Sequence, residues 1–166
     1  VMIFNEWDTD TIQIYGAISD NLIDWEPVNS GSPLFRAIDF KNCLWAGVSK
    51  NGHILQTPSV SDVVRNNNKW YMFMDGYSKD GKRHIGIVIS EKSVLGPYQI
   101  INTPILSPGK KGTWNDNGCF DAKVAKYKNK FILFYDGRNY KGYERVGLSY
   151  SNNLLAWINF ENNPVI

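Results

Sequence analysis

The sequence predicts an all-β fold made of repeated four-stranded antiparallel units, and three observations support that prediction. Two stretches, 69–76 (KWYMFMDG) and 130–137 (KFILFYDG), align without a gap at an offset of 130 − 69 = 61 residues. The segments between turn signals are short and rich in β-branched and aromatic residues, which is typical of strands. No segment keeps a helical period of apolar residues over an adequate length.

The repeat extends beyond these two stretches. At the same offset, 85–86 (IG) falls on 146–147 (VG), and a partial third copy places 19–25 (SDNLIDW) on 151–157 (SNNLLAW). A period near 60 residues is too long for the roughly 40-residue blades of WD40 propellers. Tandem four-stranded units that cannot bury their faces alone are nevertheless typical of propeller blades. The sequence therefore predicts part of a β-propeller.

Each complete copy divides into four predicted strands. In the earlier copy they are 58–64, 70–74, 83–90 and 98–106, and in the later copy they are 121–127, 131–135, 145–151 and 157–166. Asp75-Gly76 and Asp136-Gly137 are interpreted as turns that end the second strand of each copy, because Asp-Gly is a strong turn pair. The first copy has predicted strands at 1–4, 11–19 and 25–35 and lacks its first strand.

These strands predict four regions along the chain. They are an incomplete blade at 1–35, an insertion or connecting loop at 36–56, and complete blades at 57–106 and 107–166. About two and two-thirds blades are fewer than the roughly four at which propellers close. Either the chain is a fragment of a longer protein, which we favour, or a second copy completes the ring.

Composition limits the function. The 166 residues carry a net charge of +2, which is too small to favour a nucleic-acid partner. No apolar run approaches the roughly 18 residues of a membrane span, so no membrane partner is expected. Cys43 and Cys119 lack metal-ligand spacing, and neither a metal site nor a cofactor motif is predicted. The chain opens without a signal-peptide pattern, but upstream sequence could have been removed, so the localisation stays open.

Several segments carry a family resemblance. They are 19–25 (SDNLIDW), 151–157 (SNNLLAW), 90–98 (SEKSVLGPY), the stretches 69–76 and 130–137, and 113–124 (TWNDNGCFDAKV). Together they resemble the five-bladed β-propeller glycoside hydrolases of families 43, 32 and 68, with their relatives 117 and 130. The resemblance implies hydrolysis of glycosidic bonds in an oligo- or polysaccharide. It also implies carboxylates on the innermost strands, one protonated to assist the leaving oxygen and one ionised to activate water or attack the sugar.

Asp121 is the catalytic candidate that the resemblance implies. It stands in Phe120-Asp121-Ala122-Lys123-Val124, which is similar to the Asp-Pro-x-Val pattern at the head of an innermost strand in these enzymes, with Ala122 in place of proline. Its role would be that of a catalytic or pKa-tuning carboxylate. The alternative is an Asp that caps the strand by hydrogen-bonding to backbone amides.

Four further residues are substrate-binding candidates, and three of them also have a structural alternative. Trp114 would offer an apolar platform to a sugar ring, or else pack between blades. Arg138 would bind hydroxyl or carboxylate groups with its planar fork. His53 would approach the axis from the 36–56 segment, or else be a loop histidine. Asp116 lies in a polar loop whose turn chemistry also explains it.

One departure from the family pattern keeps a second function open. In Gln56-Thr57-Pro58-Ser59-Val60, a glutamine stands where the family 43 pattern has its general-acid glutamate, and glutamine has no acidic proton. The gapless offset also places Val60, not a carboxylate, opposite Asp121. The alternative to a glycoside hydrolase is therefore a non-catalytic carbohydrate-binding or scaffold propeller.

Overall fold

The computed structural model describes residues 1–7, 12–48 and 55–166. It shows three antiparallel groups of strands that follow one another along the chain, and a single parallel bridge joins the second and third groups into one eight-stranded sheet. We call them blades 1, 2 and 3. Blade 1 contains β1 (Met2–Trp7), β2 (Ile12–Ile18) and β3 (Glu26–Pro27). Blade 2 contains β4 (Ser59–Asn66), β5 (Lys69–Tyr77), β6 (Arg83–Ser90) and β7 (Gln99–Ile100). Blade 3 contains β8 (Gly118–Tyr127), β9 (Lys130–Arg138), β10 (Glu144–Ser151) and β11 (Ile158–Asn159).

Within each blade the strands pair in chain order, and the described residues form no closed ring. Blades 2 and 3 meet where Arg83 of β6 bridges Gly118 of β8 in parallel. The innermost strands β4 and β8 also contact each other directly, because the Val124 amide donates to Asp62 Oδ2 at 2.7 Å. The prediction of an all-β partial propeller is confirmed. No helix in the described ranges is long and apolar enough to cross a membrane.

The strand pairing follows the repeat of the sequence. Ser59 of β4 faces Asp75 of β5, and Phe120 of β8 faces Asp136 of β9, so both pairs keep the 61-residue offset. Each innermost strand carries a bulge just after this pair, at 60–62 in β4 and at 120–123 in β8. Val60 and Asp121 therefore hold equivalent positions at the two bulges.

The interpretation of the Asp-Gly pairs as turns was wrong. Both pairs lie inside strands, because β5 continues to Tyr77 and β9 continues to Arg138. The glycines allow close packing: a Cβ on Gly76 would lie 2.8 Å from the Cβ of Ala46, and one on Gly137 would lie 2.2 Å from the Trp114 ring. Asp-Gly is common in turns, but here its glycine lies within a strand at a position where a side chain would collide with a neighbouring residue.

The core lies between the blades. Alternate residues of β5 face opposite sides of the sheet. Met72 and Met74 pack towards blade 1, whereas Tyr71 and Phe73 pack towards blade 3, and all four are buried. Blade 2 is therefore buried on both faces, as expected of an internal unit in a stack.

Two tryptophans pack on glycines in the same way. Trp45 lies against Gly86 of β6, where a Cβ would meet its ring at 2.0 Å, and its Nε1 donates to the Ile101 carbonyl at 2.7 Å. Trp114 lies against Gly147 of β10, the equivalent of Gly86, where a Cβ would meet its ring at 2.6 Å. The described part of the predicted insertion or connecting loop, 36–48, thus places its buried Trp45 in the core between blades 1 and 2.

Candidate functional site

Charged side chains gather at one end of blades 2 and 3. Because neighbouring strands are antiparallel, this end holds the last residues of β5 and β9 together with the first residues of β6 and β8. It places Asp75, Asp121 and Asp136 beside Arg83 and Arg138. Burial raises the pKa values of both Asp75 and Asp136, and the nearby Asp121 carboxylate adds to each rise.

Asp75 is the buried centre of this group. It forms an ion pair with Arg83, and it accepts hydrogen bonds from Ser59 Oγ at 3.1 Å and Ser61 Oγ at 2.8 Å. Burial raises the pKa of Asp75, and the Arg83 guanidinium opposes that rise. Its Oδ2 also accepts the backbone amide of Asp121 at 3.3 Å, so a side chain of blade 2 holds the innermost strand of blade 3.

Asp121 lies at the bulge of β8 with its side chain exposed. Its φ is +52°, in the left-handed region that Asp and Asn occupy more readily than most other residues. The bulge and the hydrogen bond to Asp75 together set this backbone conformation. The backbone of Asp121 is thus held in place, while its carboxylate is open to solvent.

The aromatic ring of Phe120 lies close to the guanidinium groups of both arginines. The Arg83 and Arg138 guanidinium carbons lie 4.6 Å and 5.0 Å from the centre of its ring, within the range of cation–π attraction. Arg138 is also paired with Glu144, and its Nε donates to Glu144 Oε1 at 2.7 Å. The Arg138 guanidinium is thus held between the Phe120 ring and Glu144, and it stays partly exposed.

The other sequence candidates lie elsewhere. Trp114 packs on Gly137, Gly147 and Tyr135, with the two aromatic rings 5.7 Å apart. Asp116 is buried and accepts the backbone amides of Gly112 at 2.6 Å and Tyr140 at 3.0 Å, which clamps its loop to the β9–β10 hairpin. His53 lies outside the described residues.

A pocket of about 130 Å³ opens between blades 1 and 2, beside Asp75. Its lining residues are Trp7, Ile12, Gly47, Val48, Gln56, Thr57, Pro58, Ser59, Asp75, Gly76, Tyr77 and Arg83. The Trp7 side chain is 66% exposed. Among the described residues, no group of three histidine, cysteine or acidic side chains is arranged to hold a metal ion.

Sequence reasoning missed Trp7 and Tyr77 as site residues, although the repeat contains a signal for Tyr77. Trp7 faces Ile12, Tyr77 faces Arg83, and Arg138 faces Glu144. The three residues therefore end the second strand of their blades at equivalent positions. Extending the 61-residue alignment by one position would have grouped Tyr77 with Arg138, which was already a binding candidate, whereas Trp7 joins them only through the strand pairing.

Solved structures with this fold include several glycoside hydrolases. A family 117 glycoside hydrolase produced by the marine bacterium Zobellia galactanivorans has a TM-score of 0.73 and 20% identity, over 95% of this chain and 43% of that one. Sucrose-6-phosphate hydrolase from Lactobacillus gasseri has a TM-score of 0.67 and 12% identity, over 93% and 30%. A GH32 β-fructofuranosidase of Bombyx mori has a TM-score of 0.63 and 15% identity, over 95% and 31%.

No protein-family model matches the chain, and no curated protein does. The chain spans less than half the length of each of the three solved structures. At these identities the similarity establishes the fold. The chain has the architecture of part of the five-bladed β-propeller glycoside hydrolases, as its sequence predicted.

Proposed function

We propose that this chain is part of a propeller that hydrolyses glycosidic bonds of an oligo- or polysaccharide by carboxylate acid–base catalysis. The observation that supports this most is the exposed carboxylate of Asp121 at a bulge whose backbone is held by the buried Asp75. The glycoside hydrolase fold of the structural neighbours supports the same reaction class.

Asp121 is the catalytic residue in this proposal. As a carboxylate it orients a water molecule at the sugar carbon and accepts the proton that this water loses. The water oxygen forms a bond to that carbon while the glycosidic C–O bond breaks, and the departing oxygen takes a proton from a general acid. Asp75 is a positioning residue in this proposal, because it holds the Asp121 backbone.

Substrate contacts come from the aromatic and cationic groups beside these carboxylates. The exposed face of Trp7, with Tyr77 in the same pocket, suits the apolar face of a sugar ring. Arg138 donates hydrogen bonds to hydroxyl or carboxylate groups. Trp114 and Asp116 make no substrate contact in this proposal; Trp114 packs on Tyr135, and Asp116 accepts the Tyr140 amide. His53 stays a candidate that the described residues do not include.

Gln56 favours a second candidate function. It lines the pocket beside Asp75, and its amide cannot donate an acidic proton. In a hydrolase, the general acid would then come from another part of the protein. Without such an acid, the same pocket would serve a non-catalytic carbohydrate-binding propeller.

Assays on the natural protein separate the two functions. We expect turnover of at least one substrate in a panel of aryl glycosides and polysaccharides, and strong loss of that turnover in Asp121→Asn. Sugar binding without turnover, unchanged by Asp121→Asn, would instead support the binding propeller. Neither binding nor turnover across the panel would refute both.

A further inference from the structure

A groove of about 300 Å³ lies beside the outermost strand of blade 3. One wall comes from the segment 107–115, which leads from blade 2 to β8, and the other comes from residues 159–163 at β11 and just after it. We call it the outer groove. None of its lining residues lines the pocket beside Asp75, and its volume reaches the lower end of the range for small-ligand sites. The outer groove is therefore a separate cavity that can hold a small ligand.

The wall formed by 159–163 lies far from the proposed catalytic carboxylate. Asn159 is on β11, Asp121 is on β8, and strands β9 and β10 lie between them. Neighbouring strands are about 4.8 Å apart, so three such steps separate β8 from β11 by roughly 14 Å. A ligand held by this wall is thus distinct from one whose bond is broken at Asp121.

Trp114 supplies the apolar surface of the outer groove. Its ring packs on Gly137 and Gly147, where an added Cβ would lie 2.2 Å and 2.6 Å from it. It also lies 5.7 Å from the ring of the buried Tyr135, which lines the groove with it. Trp114 is partly buried, so these contacts fix the indole while part of it faces the groove. A fixed aromatic ring offers contact area at little cost in entropy.

Hydrogen-bonding groups lie on the wall formed by 159–163. Glu161 is exposed, it is the only charged side chain among the lining residues, and the ion pairs of the described residues do not include it. Asn159 Oδ1 accepts the Ser149 hydroxyl at 2.7 Å, which leaves the amide nitrogen to donate. This wall therefore offers an acceptor and a donor to a ligand with hydroxyl groups, and its negative charge disfavours an anionic ligand.

Both walls are held by their own hydrogen bonds. The Gly109 amide donates to the Asn115 carbonyl at 3.3 Å and so closes the loop of the first wall. In the second wall, the Asn163 side chain accepts the Leu148 amide and donates to the Leu148 carbonyl, both at 2.8 Å. A cavity with walls fixed in this way loses little entropy when a ligand binds.

We propose that the outer groove is a second saccharide-binding site, which takes an uncharged sugar unit. The apolar face of the sugar ring lies on Trp114. Two of its hydroxyls donate to the Glu161 carboxylate, and a third oxygen accepts the amide nitrogen of Asn159. The inference does not depend on catalysis at Asp121, because the outer groove serves a hydrolase and a non-catalytic binding propeller alike.

Fluorine NMR of the 166-residue chain labelled with 5-fluorotryptophan tests this proposal. Trp114 lines the outer groove and Trp7 lines the pocket beside Asp75, so the two sites give different signals. Trp114→Phe and Trp7→Phe assign these signals. If Trp114→Phe does not fold, replacing each of the other tryptophans in turn assigns its signal by elimination. The probes are uncharged tetrasaccharides of glucose, xylose, mannose, galactose or arabinose, titrated through a Kd of roughly 1 mM.

We expect at least one of these saccharides to shift the Trp114 signal in a saturable way. Glu161→Gln should weaken that binding at least about tenfold, because a carboxylate accepts stronger hydrogen bonds than an amide does. Glu26→Gln, the same change at an exposed residue of β3, is the matched control and should leave the binding unchanged. A tetrasaccharide of galacturonate should bind more weakly than its galactose counterpart.

Several outcomes overturn the proposal. They are no shift of the Trp114 signal with any of the saccharides, a shift that Glu161→Gln leaves unchanged, and tighter binding of the galacturonate probe than of the galactose one. A shift of the Trp7 signal alone also overturns it, while supporting the pocket beside Asp75. The two sites can therefore fail separately.

Discussion

At the residue scale, the backbone of Asp121 explains how an exposed carboxylate is kept in one place. A left-handed φ is unfavourable for most side chains, and it persists where surrounding contacts impose it. Here the contact comes from another blade, since Asp75 accepts the Asp121 amide. Asparagine tolerates the same conformation, which makes Asp121→Asn a change of charge with little change of backbone.

The first prediction concerns this change. In the natural protein, Asp121→Asn should lower turnover by about 100- to 10,000-fold, because a positioned general base typically contributes that much. The melting temperature should change little, since the side chain is exposed. Steady-state kinetics and thermal unfolding measure the two effects.

Asp116→Asn is the matched control for this prediction. Asp116 uses one oxygen for the Gly112 amide and the other for the Tyr140 amide, and asparagine keeps only one acceptor. We expect a loss of about 1–3 kcal/mol of stability with turnover largely retained. The reverse pattern, in which Asp116→Asn abolishes turnover and Asp121→Asn only destabilises, would contradict the assignment of Asp121.

The second prediction concerns pH. Burial lowers the pKa of His84 below its ordinary 6.5, and its ring nitrogens lie 3.2 Å from the hydroxyls of Ser78 and Ser107. Between the folded pKa and 6.5, the unfolded chain binds more protons than the folded chain, so stability falls as the pH falls through that window. His84→Gln should remove this part of the dependence in urea unfolding measured from pH 7 to pH 5. An identical slope in both proteins would exclude His84 as its source.

At the element scale, the strand ends with Ser-x-x-Leu-x-x-Trp have a common physical basis. The Ser19 and Ser151 hydroxyls accept the amides of Leu22 and Leu154 at 2.8 and 3.0 Å. The indole of Trp157 then donates to the Leu154 carbonyl at 3.0 Å. Contacts this local are specified within seven residues, which is why the sequence alone could identify these ends of the repeat.

Strand positions were predicted correctly where a run of β-branched and apolar residues is hydrogen-bonded along its whole length. The predicted strand 83–90 coincides with β6. The outer strands were predicted too long, at 98–106 and 157–166, because β7 and β11 contain two residues each. Pro104 and Pro164 lack the amide that a continuous ladder needs, and each segment returns to the sheet edge just after its proline.

The site was less predictable because its contacts join different blades. The local sequence predicts Asp75 to be a turn residue. Its partner Arg83 lies on the neighbouring strand β6, and its partner Asp121 lies on β8 of blade 3. The pocket beside it combines Trp7 of blade 1, Gln56 of the segment that precedes blade 2, and Tyr77 of blade 2. Only the packing of one blade on the next brings these residues together.

The third prediction tests the packing of tryptophan on glycine. Gly147→Ala would place a Cβ 2.5 Å from the Tyr135 ring and 2.6 Å from the Trp114 ring, so we expect a loss of about 1–3 kcal/mol or more from overpacking. Gly142→Ala is the control: it has open space, and its φ of +84° should cost only about 1–2 kcal/mol. Chemical denaturation of both variants gives the comparison. A smaller loss for Gly147→Ala would show that this close approach does not require glycine.

At the scale of the whole molecule, stability comes from the stacking of blades. Every large buried side chain of β5 belongs to one of two apolar clusters, and each cluster joins two blades. A sheet in such a stack is stabilised by its neighbours as much as by its own hydrogen bonds. Equivalent strands should therefore differ in stability according to how many of their faces are covered.

The fourth prediction uses this difference. β5 and β9 have nine residues each and equivalent sequences, but β5 is covered on both faces, whereas β9 exposes Phe134. In the 166-residue chain, amides of 70–77 should exchange with deuterium more slowly than those of 131–138, since local opening is rarer where both faces are packed. Mass spectrometry of matched peptides measures the two rates. Both strands are hydrogen-bonded on both sides, and they differ in whether their second face is covered. Equal protection of the two strands would therefore mean that blade stacking adds little to local stability.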